Sequence, residues 1–172
     1  MSLLASGQSD KRICIWDIEK AKPENNKISP MMEILHHAAP VEDVAWHKMH
    51  PNILASCSDD RMIMAWDLRF RSAASGSEKP IFEIIAHTNE VYTLDFSLFN
   101  EFLFLSGSGD QSVSLWDMRN LTRSLKTFKN KDSVLKVQWS PNLMNLFACC
   151  GADRKVHVWD VSELEEKNKE LA

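Results

Sequence analysis

Three residue types dominate a chemical reading of this 172-residue sequence: His, Ser and Asp, held at fixed spacing. His37, Ser56 and Asp60 form one set and His87, Ser106 and Asp110 another, with internal steps of 19 and 4 residues in both. Brought together, a hydroxyl, an imidazole and a carboxylate are the parts of a hydrolytic triad: nucleophile, general base and the group that orients the base. The pattern nevertheless argues against hydrolysis. The set recurs, each serine falls inside a strand-like stretch, and neither occupies a Gly-x-Ser-x-Gly elbow that would present it to a substrate. Groups of this kind are expected to be buried polar atoms that satisfy one another and fix a turn.

Other chemistries find less support. His36, His37, His47 and His50 cluster in sequence, but no cysteine or carboxylate at zinc-site spacing joins them, so no metal is expected. No glycine-rich phosphate loop occurs, and no cofactor is expected. The aromatics Trp46, Phe96 and Trp139 lack interleaved Lys or Arg, so they read as wedges in a core rather than a base-stacking platform. The net charge of −4 argues against a nucleic-acid backbone as the main partner. Cys14, Cys57, Cys149 and Cys150 form no C-x-x-C pair and read as reduced core thiols of a cytosolic or nuclear protein. No apolar run approaches membrane-spanning length and no signal peptide precedes Leu3, so a soluble intracellular chain is expected.

The elements that position these residues come from an internal repeat. Trp-Asp pairs stand at Trp16, Trp66, Trp116 and Trp159, at steps of 50, 50 and 43 residues. Six residues before each Trp lies an Asp: Asp10, Asp60, Asp110 and Asp153. Ten before lie Ser6, Ser56, Ser106 and Cys149, twenty before lie Trp46, Phe96 and Trp139, and twenty-nine before lie His37, His87 and Asn130. A repeat of this period whose units end in Trp-Asp predicts four-stranded blades of a β-propeller. Fourteen strands are expected, four in each of the second and third units and three in the first and fourth. The fold class is therefore all-β, a partial propeller of about half a seven-bladed ring. Its blades fall near residues 1–36, 37–86, 87–128 and 129–161, and 162–172 are expected to form a short C-terminal helix or tail. Exposed loops are expected at 19–30, which has two prolines and paired asparagines, and at the equivalent 69–80. Strict alternation along Val41 to His47 places Glu42, Val44 and Trp46 on one face and Val41, Asp43 and Ala45 on the other. The same rule groups Tyr92 with Leu94 and Phe96, and Leu135 with Val137 and Trp139.

With these offsets the chain resembles the WD-repeat family over nearly its whole length. The resemblance implies a hydrogen-bonded structural tetrad in each blade: His37, Ser56, Asp60 and Trp66 in the second, and His87, Ser106, Asp110 and Trp116 in the third. The first unit keeps only Ser6, Asp10 and Trp16. The fourth keeps Asp153 and Trp159 but has Asn130 and Cys149, so a looser network is expected there.

More specific stretches are V-E-D-V-A-W-H at 41–47, C-S-D-D-R-M-I-M-A-W-D-L-R at 57–69, A-H-T-N-E-V at 86–91, W-D-M-R-N-L at 116–121, V-Q-W-S-P at 137–141 and D-R-K-V-H-V-W-D at 153–160. These resemble the retinoblastoma-binding histone chaperones, small WD-repeat subunits of chromatin assembly, deacetylase and remodelling complexes. The resemblance implies a nuclear, non-catalytic scaffold whose partners are core histones or basic tail peptides and subunits of chromatin-modifying complexes. It implies no sequence-specific nucleic-acid binding and no membrane. The family's side site for a histone helix uses an N-terminal helix and an acidic loop; neither is found in this sequence, so that site is expected to be incomplete.

The family's top-face site maps to Glu42, Tyr92 and Leu135, twenty-four before each Trp, and to Pro40, Glu90 and Ser133 two residues earlier. Glu42 keeps the family's carboxylate, while Tyr92, Ser133 and Leu135 depart from an amide, a carboxylate and a Phe. Glu42 and Glu90 are expected to pair with a basic side chain; the alternative is that both are simply solvated. A WD-repeat adaptor outside chromatin, in ribosome assembly or ubiquitin ligation, is the alternative function. Self-association through the open ends of the partial propeller is a further expectation.

Overall fold

The computed structural model describes residues 2–19, 28–69 and 79–162. It contains fourteen strands and four antiparallel sheets among these residues. The first sheet comprises β1 (Leu3–Gly7), β2 (Arg12–Asp17) and β3 (Met32–Leu35). The second comprises β4 (Val41–Trp46), β5 (Ile53–Ser58), β6 (Met62–Asp67) and β7 (Phe82–Ile85). The third has β8 (Val91–Phe96), β9 (Leu103–Ser108), β10 (Ser112–Asp117) and β11 (Lys126–Lys129). The fourth has β12 (Val134–Trp139), β13 (Leu146–Gly151) and β14 (Val156–Asp160). The chain is thus all-β, a partial WD-repeat propeller. All of the expected C-terminal helix or tail at 162–172 except Ser162, and most of the two expected loops, at 20–27 and 70–78, lie outside the described residues.

The hairpin that leads into the Trp-bearing strand of each unit shows why the repeated Asp is needed. Lys11, Arg61, Gln111 and Arg154 all have left-handed backbones, with φ of 75°, 71°, 67° and 60°. A side chain in that region costs roughly 1 kcal/mol, and the preceding aspartate holds the turn closed against that cost. Its Oδ1 accepts the backbone N–H of Arg12, Met62, Ser112 or Lys155 in the four units.

Three core clusters form, and each lies between two successive sheets rather than within one. Ile13, Ile15 and Ile34 pack against Leu54, Met64 and Trp66. Ala55, Ile63 and Ala65 meet Leu94, Phe96, Phe104 and Trp116. Leu105, Val113 and Leu115 meet Val137, Trp139 and Phe147. Burying both faces of each inner sheet explains why β5, β9 and β10 read as near-continuous apolar or small-residue runs. Gly107 is required at one of these contacts, because a Cβ there would sit 2.7 Å from Val134 Cγ1 and 2.9 Å from Thr93 Cγ2.

The expected alternation of the innermost strands is corrected by the structure. The register shifts between Val41 and Asp43, between Val91 and Thr93, and between Val134 and Lys136. One extra residue at each place, namely Glu42, Tyr92 and Leu135, breaks the period of two. The buried sets are consequently Val91, Leu94 and Phe96, and Val134, Val137 and Trp139. Tyr92 and Leu135, grouped by strict alternation with the buried aromatics, instead leave the core, and Leu135 is 52% exposed. Glu42 is likewise exposed while Val41 joins the core.

Candidate functional site

In the second sheet, His37 Nδ1 lies 2.8 Å from Asp60 Oδ2, His37 Nε2 lies 2.8 Å from Ser56 Oγ, and Trp66 Nε1 donates to Ser56 Oγ at 3.1 Å. The third sheet repeats this with His87 to Asp110 at 2.9 Å, His87 to Ser106 at 2.7 Å and Trp116 to Ser106 at 2.9 Å. One consistent proton assignment satisfies every group. The indole donates to the hydroxyl, the hydroxyl donates to Nε2, and the Nδ1 hydrogen goes to the carboxylate, with the imidazole neutral. The Ser, His and Asp therefore stand in triad order. Their burial removes the chemistry: Ser56 and Ser106 have no exposed surface, the rings of His37 and His87 are buried, and an indole N–H occupies the face of each hydroxyl oxygen. Burial pushes the Asp110 carboxyl up, but the His87 ring, the Ser112 hydroxyl and the Thr88 N–H outweigh it and hold the group well below the ordinary carboxylate range. Asp60 is lowered by the same balance, with His37, Ala38 and Met62 supplying the donors.

The fourth sheet is rewired. Asp153 Oδ2 accepts from His157 Nε2 at 2.7 Å, four residues along its own hairpin, while Asn130 Nδ2 donates to the Asp132 carbonyl. Asn130 Oδ1 has no partner. Cys149 stands where the serines stand; its thiol is pushed up by burial, and the Trp159 indole faces it without forming a well-shaped hydrogen bond. In the first sheet, Ser6 and Trp16 line an apolar cleft of about 270 Å³ with Leu4, Ile18 and Ile28, and Asp10 contacts Arg12. His157 was visible in the sequence only as a histidine four residues after the repeated Asp, a spacing that carries no signal on its own.

The cluster His36, His37, His47 and His50 does not converge on a metal position. Among the described residues no group of three or more metal-capable side chains comes together. His47 is already committed: Nδ1 accepts the N–H of Met49 and of His50, and Nε2 donates to the Glu101 carbonyl at 2.8 Å. Burial holds its pKa below the ordinary imidazole value.

The surface with binding character lies at the start of the innermost strands, where the bulges turn Glu42, Tyr92 and Leu135 outward. The second and third sheets place Glu42, Asp59, Glu90 and Tyr92 close enough to perturb one another. Burial and then the Asp59 charge raise the Glu42 carboxyl. Burial, Glu90 and Asp60 raise Asp59. Burial raises the Tyr92 phenol, helped by Glu90, Asp59 and Glu42. Gly109 permits this packing, since a Cβ there would lie 3.2 Å from both Glu90 Oε2 and Tyr92 Oη. Asp59 Oδ1 is enclosed without a hydrogen-bond donor. This carboxylate was missed in the sequence reading, although it could have been found as the residue beside the repeated Asp60, where the third and fourth units carry Gly109 and Ala152. Leu135 lies at the matching bulge of the fourth sheet, and Ser133 reaches the Gly109 carbonyl at 3.5 Å. The arrangement is an acidic rim with one phenol and one leucine, suited to a cation that also offers apolar surface.

Beneath the rim, the residues twenty-three before each Trp meet across three sheets. Asp43 Oδ2 accepts from Thr93 Oγ1 at 2.9 Å, from the Leu94 N–H at 3.2 Å and from Lys136 Nζ at 2.6 Å. This contact fixes the inner strands relative to one another and so sets the spacing of the rim.

Comparison with known sequences adds to this geometry. The family profile "WD domain, G-beta repeat" matches residues 28–67, 78–117 and 122–160, more than half of the chain. Over 50 residues the chain is 42% identical to the WD-40 repeat-containing protein MSI3 of Arabidopsis thaliana, and over 50 residues it is 38% identical to the histone acetyltransferase type B subunit 2 of Mycosarcoma maydis. Each match covers 29% of this chain, and the chain spans 12% of the length of each of these relatives.

Proposed function

The chain belongs to the WD-repeat family, a fold that serves as a protein-interaction scaffold, and from that premise we propose a non-catalytic platform whose acidic rim binds basic peptides of the histone-tail kind. The observation that carries this reading is the convergence of Glu42, Asp59 and Glu90 on adjacent sheets, with Glu42 and Asp59 raised above the ordinary carboxylate range. Like charges held together and partly desolvated disfavour their own ionisation, and an incoming Lys or Arg relieves that repulsion. The setting proposed is nuclear, in chromatin assembly, deacetylase or remodelling complexes; the name of one relative, a histone acetyltransferase type B subunit, supports a connection with histones.

Titration of the protein with a fluorescent peptide copying a basic histone tail tests the proposal. Glu42→Lys with Glu90→Lys should weaken binding by at least roughly tenfold, with a loss of salt dependence. An unchanged isotherm rejects it. Because ligand binding favours the ionised rim, affinity should also fall as acidification protonates Glu42 and Asp59, beginning at higher pH than for ordinary carboxylates.

Ser133, in place of a carboxylate, reduces the charge of the rim relative to the chaperones it resembles, and this favours a second reading, an adaptor outside chromatin. Affinity purification that returns ribosome-assembly or ubiquitin-ligase components and no histones would select it. Self-association is part of the proposal. The outward face of the first sheet carries the cleft around Trp16, and the fourth exposes Val156 and Val158 at 71% and 67%. Light scattering that finds only monomer at high concentration would remove that part.

A further inference from the structure

The face opposite the acidic rim carries a different surface. There the turns joining the first and second strands of the second, third and fourth sheets expose Met49, Leu98, Phe99, Leu143 and Met144, at 45%, 40%, 40%, 56% and 51%. On the acidic face, among the described residues, the comparably exposed apolar side chains Leu35, Ile85 and Leu135 belong to strands rather than to the loops. One device closes all three turns. His47 Nδ1 accepts the N–H of Met49 and His50, Ser97 Oγ those of Phe99 and Asn100, and Ser140 Oγ those of Asn142 and Leu143. The turns are also fastened to one another, through His47 Nε2 on the Glu101 carbonyl and the Trp139 N–H on Asp95 Oδ2. The apolar side chains therefore stand on a preformed arc, and little ordering is left for a partner to impose.

Ion pairs around this arc turn their cations outward. Lys48 pairs with Asp95, Arg69 with Asp67 and Arg119 with Asp117. In each pair the cation is the exposed member, at 35%, 61% and 63%, and the carboxylate is enclosed, at 14%, 8% and 12%. Arg69 and Arg119 sit beside the apolar turns, because the neighbouring Leu68 and Met118 N–H groups donate to the Asn52 and Phe102 carbonyls. The Arg119 guanidinium also lies over the Phe102 ring at 4.5 Å. Among the described residues the exposed anions at this end of the strands are Glu101, engaged by His50 at 2.7 Å, Asp160, which accepts from Ser162, and Glu19, which accepts from Ser2. Around the apolar turns of the second and third sheets, among the described residues, the outward members of the ion pairs are thus cations, although the chain as a whole carries −4.

We propose that this face is a second docking surface, taking a short peptide segment of a partner protein in which Leu or Phe alternates with Asp or Glu. Apolar anchors would cover Met49, Phe99 and Leu143, and the acidic side chains would reach the outward cations, with the charges setting the sign of the ligand. The two faces of the scaffold then select ligands of opposite charge. This inference does not depend on what binds the acidic rim.

The probe is a labelled synthetic peptide of about a dozen residues built from Leu, Phe and Glu, beside its uncharged twin with Gln for every Glu, titrated against the full chain by anisotropy. The acidic peptide should bind at least roughly tenfold tighter than its twin. Phe99→Ser with Leu143→Ser should weaken it by roughly tenfold or more, and Arg119→Glu should weaken it and reduce its salt dependence, while Glu42→Lys with Glu90→Lys should leave it unchanged. Hydrogen exchange of the unmodified protein covers the case in which the serine variant does not fold: the peptide should protect amides at 48–50, 98–101 and 142–145. Equal affinity for the two peptides overturns the proposal. So does protection confined to 38–42 and 88–92, or protection of the arc that appears without peptide as copies of the chain associate.

Discussion

The third and fourth sheets are built on the same frame and finished differently. Both close the hairpin with an Asp before a left-handed residue, and both place an indole on the core face. In the third, the chain of donors runs unbroken from Trp116 through Ser106 and His87 to Asp110. In the fourth, Cys149 interrupts it, Asn130 turns aside to Asp132, and Asp153 recruits His157 from its own hairpin. The shared Asp-turn is local and survives alone; the long-range network requires two further residues of the right type, and losing them leaves buried polar atoms without partners.

The largest expected effect tests the intact network. Asp110→Ala removes the acceptor of His87, of the Thr88 N–H and of the Ser112 N–H, and should cost about 3 kcal/mol in urea unfolding. Asp153→Ala should cost clearly less, since its partners are a hairpin neighbour and one turn amide. Equal losses would erase the distinction between the sheets.

Acid should reveal the same asymmetry. Asp60 and Asp110 are depressed in the folded protein, so the native state binds protons less readily than the unfolded chain. Their contribution is complete above the ordinary carboxylate value of roughly 4 and is lost as pH falls through the lower folded values. The raised Glu42 and Asp59 act in the opposite direction. Asp110→Asn should flatten the fall in unfolding midpoint below about pH 4; a steepness unchanged from the parent would show that the network does not govern acid sensitivity.

Completing the fourth sheet should stabilise it. Cys149→Ser gives the Trp159 indole an oxygen acceptor, and Asn130→His supplies a ring to continue the chain, so the double variant should gain about 1 kcal/mol, more than the two single variants together. Additive changes would indicate that Asp153 remains committed to His157. The smallest effect concerns what both sheets share. Gln111→Gly relieves a left-handed side chain and should raise stability by roughly 0.5 kcal/mol, as should Arg154→Gly, because this turn is built alike in both. A gain in only one would contradict that equivalence.

Periodicity made the fold legible. Trp16, Trp66, Trp116 and Trp159 fixed the register, and from it came fourteen strands in groups of three, four, four and three, the grouping seen in the sheets. The residues of the His37 and His87 networks, and Glu42, Glu90, Tyr92 and Leu135 at the rim, were implied by the family resemblance and located by their offsets from Trp. Asp59 was passed over because its counterparts in the third and fourth units are uncharged, so no repeat marked it. The faces of Tyr92 and Leu135 were misassigned because an extra residue in a strand leaves no trace in an alternating pattern; it shows only once the partner strand is in place.

The sequence by itself determined the repeat, the strands and the turns, because these depend on contacts within a hairpin and on side chains that recur at constant offsets. Tertiary structure alone decided which carboxylates share the rim, that Asp43 would meet Thr93 and Lys136, and that apolar turns and outward cations would gather on one face. Those contacts join residues 50 and 93 positions apart. They depend on the angle at which one sheet packs against the next, which is set by the side chains wedged between sheets and is not encoded in any single repeat.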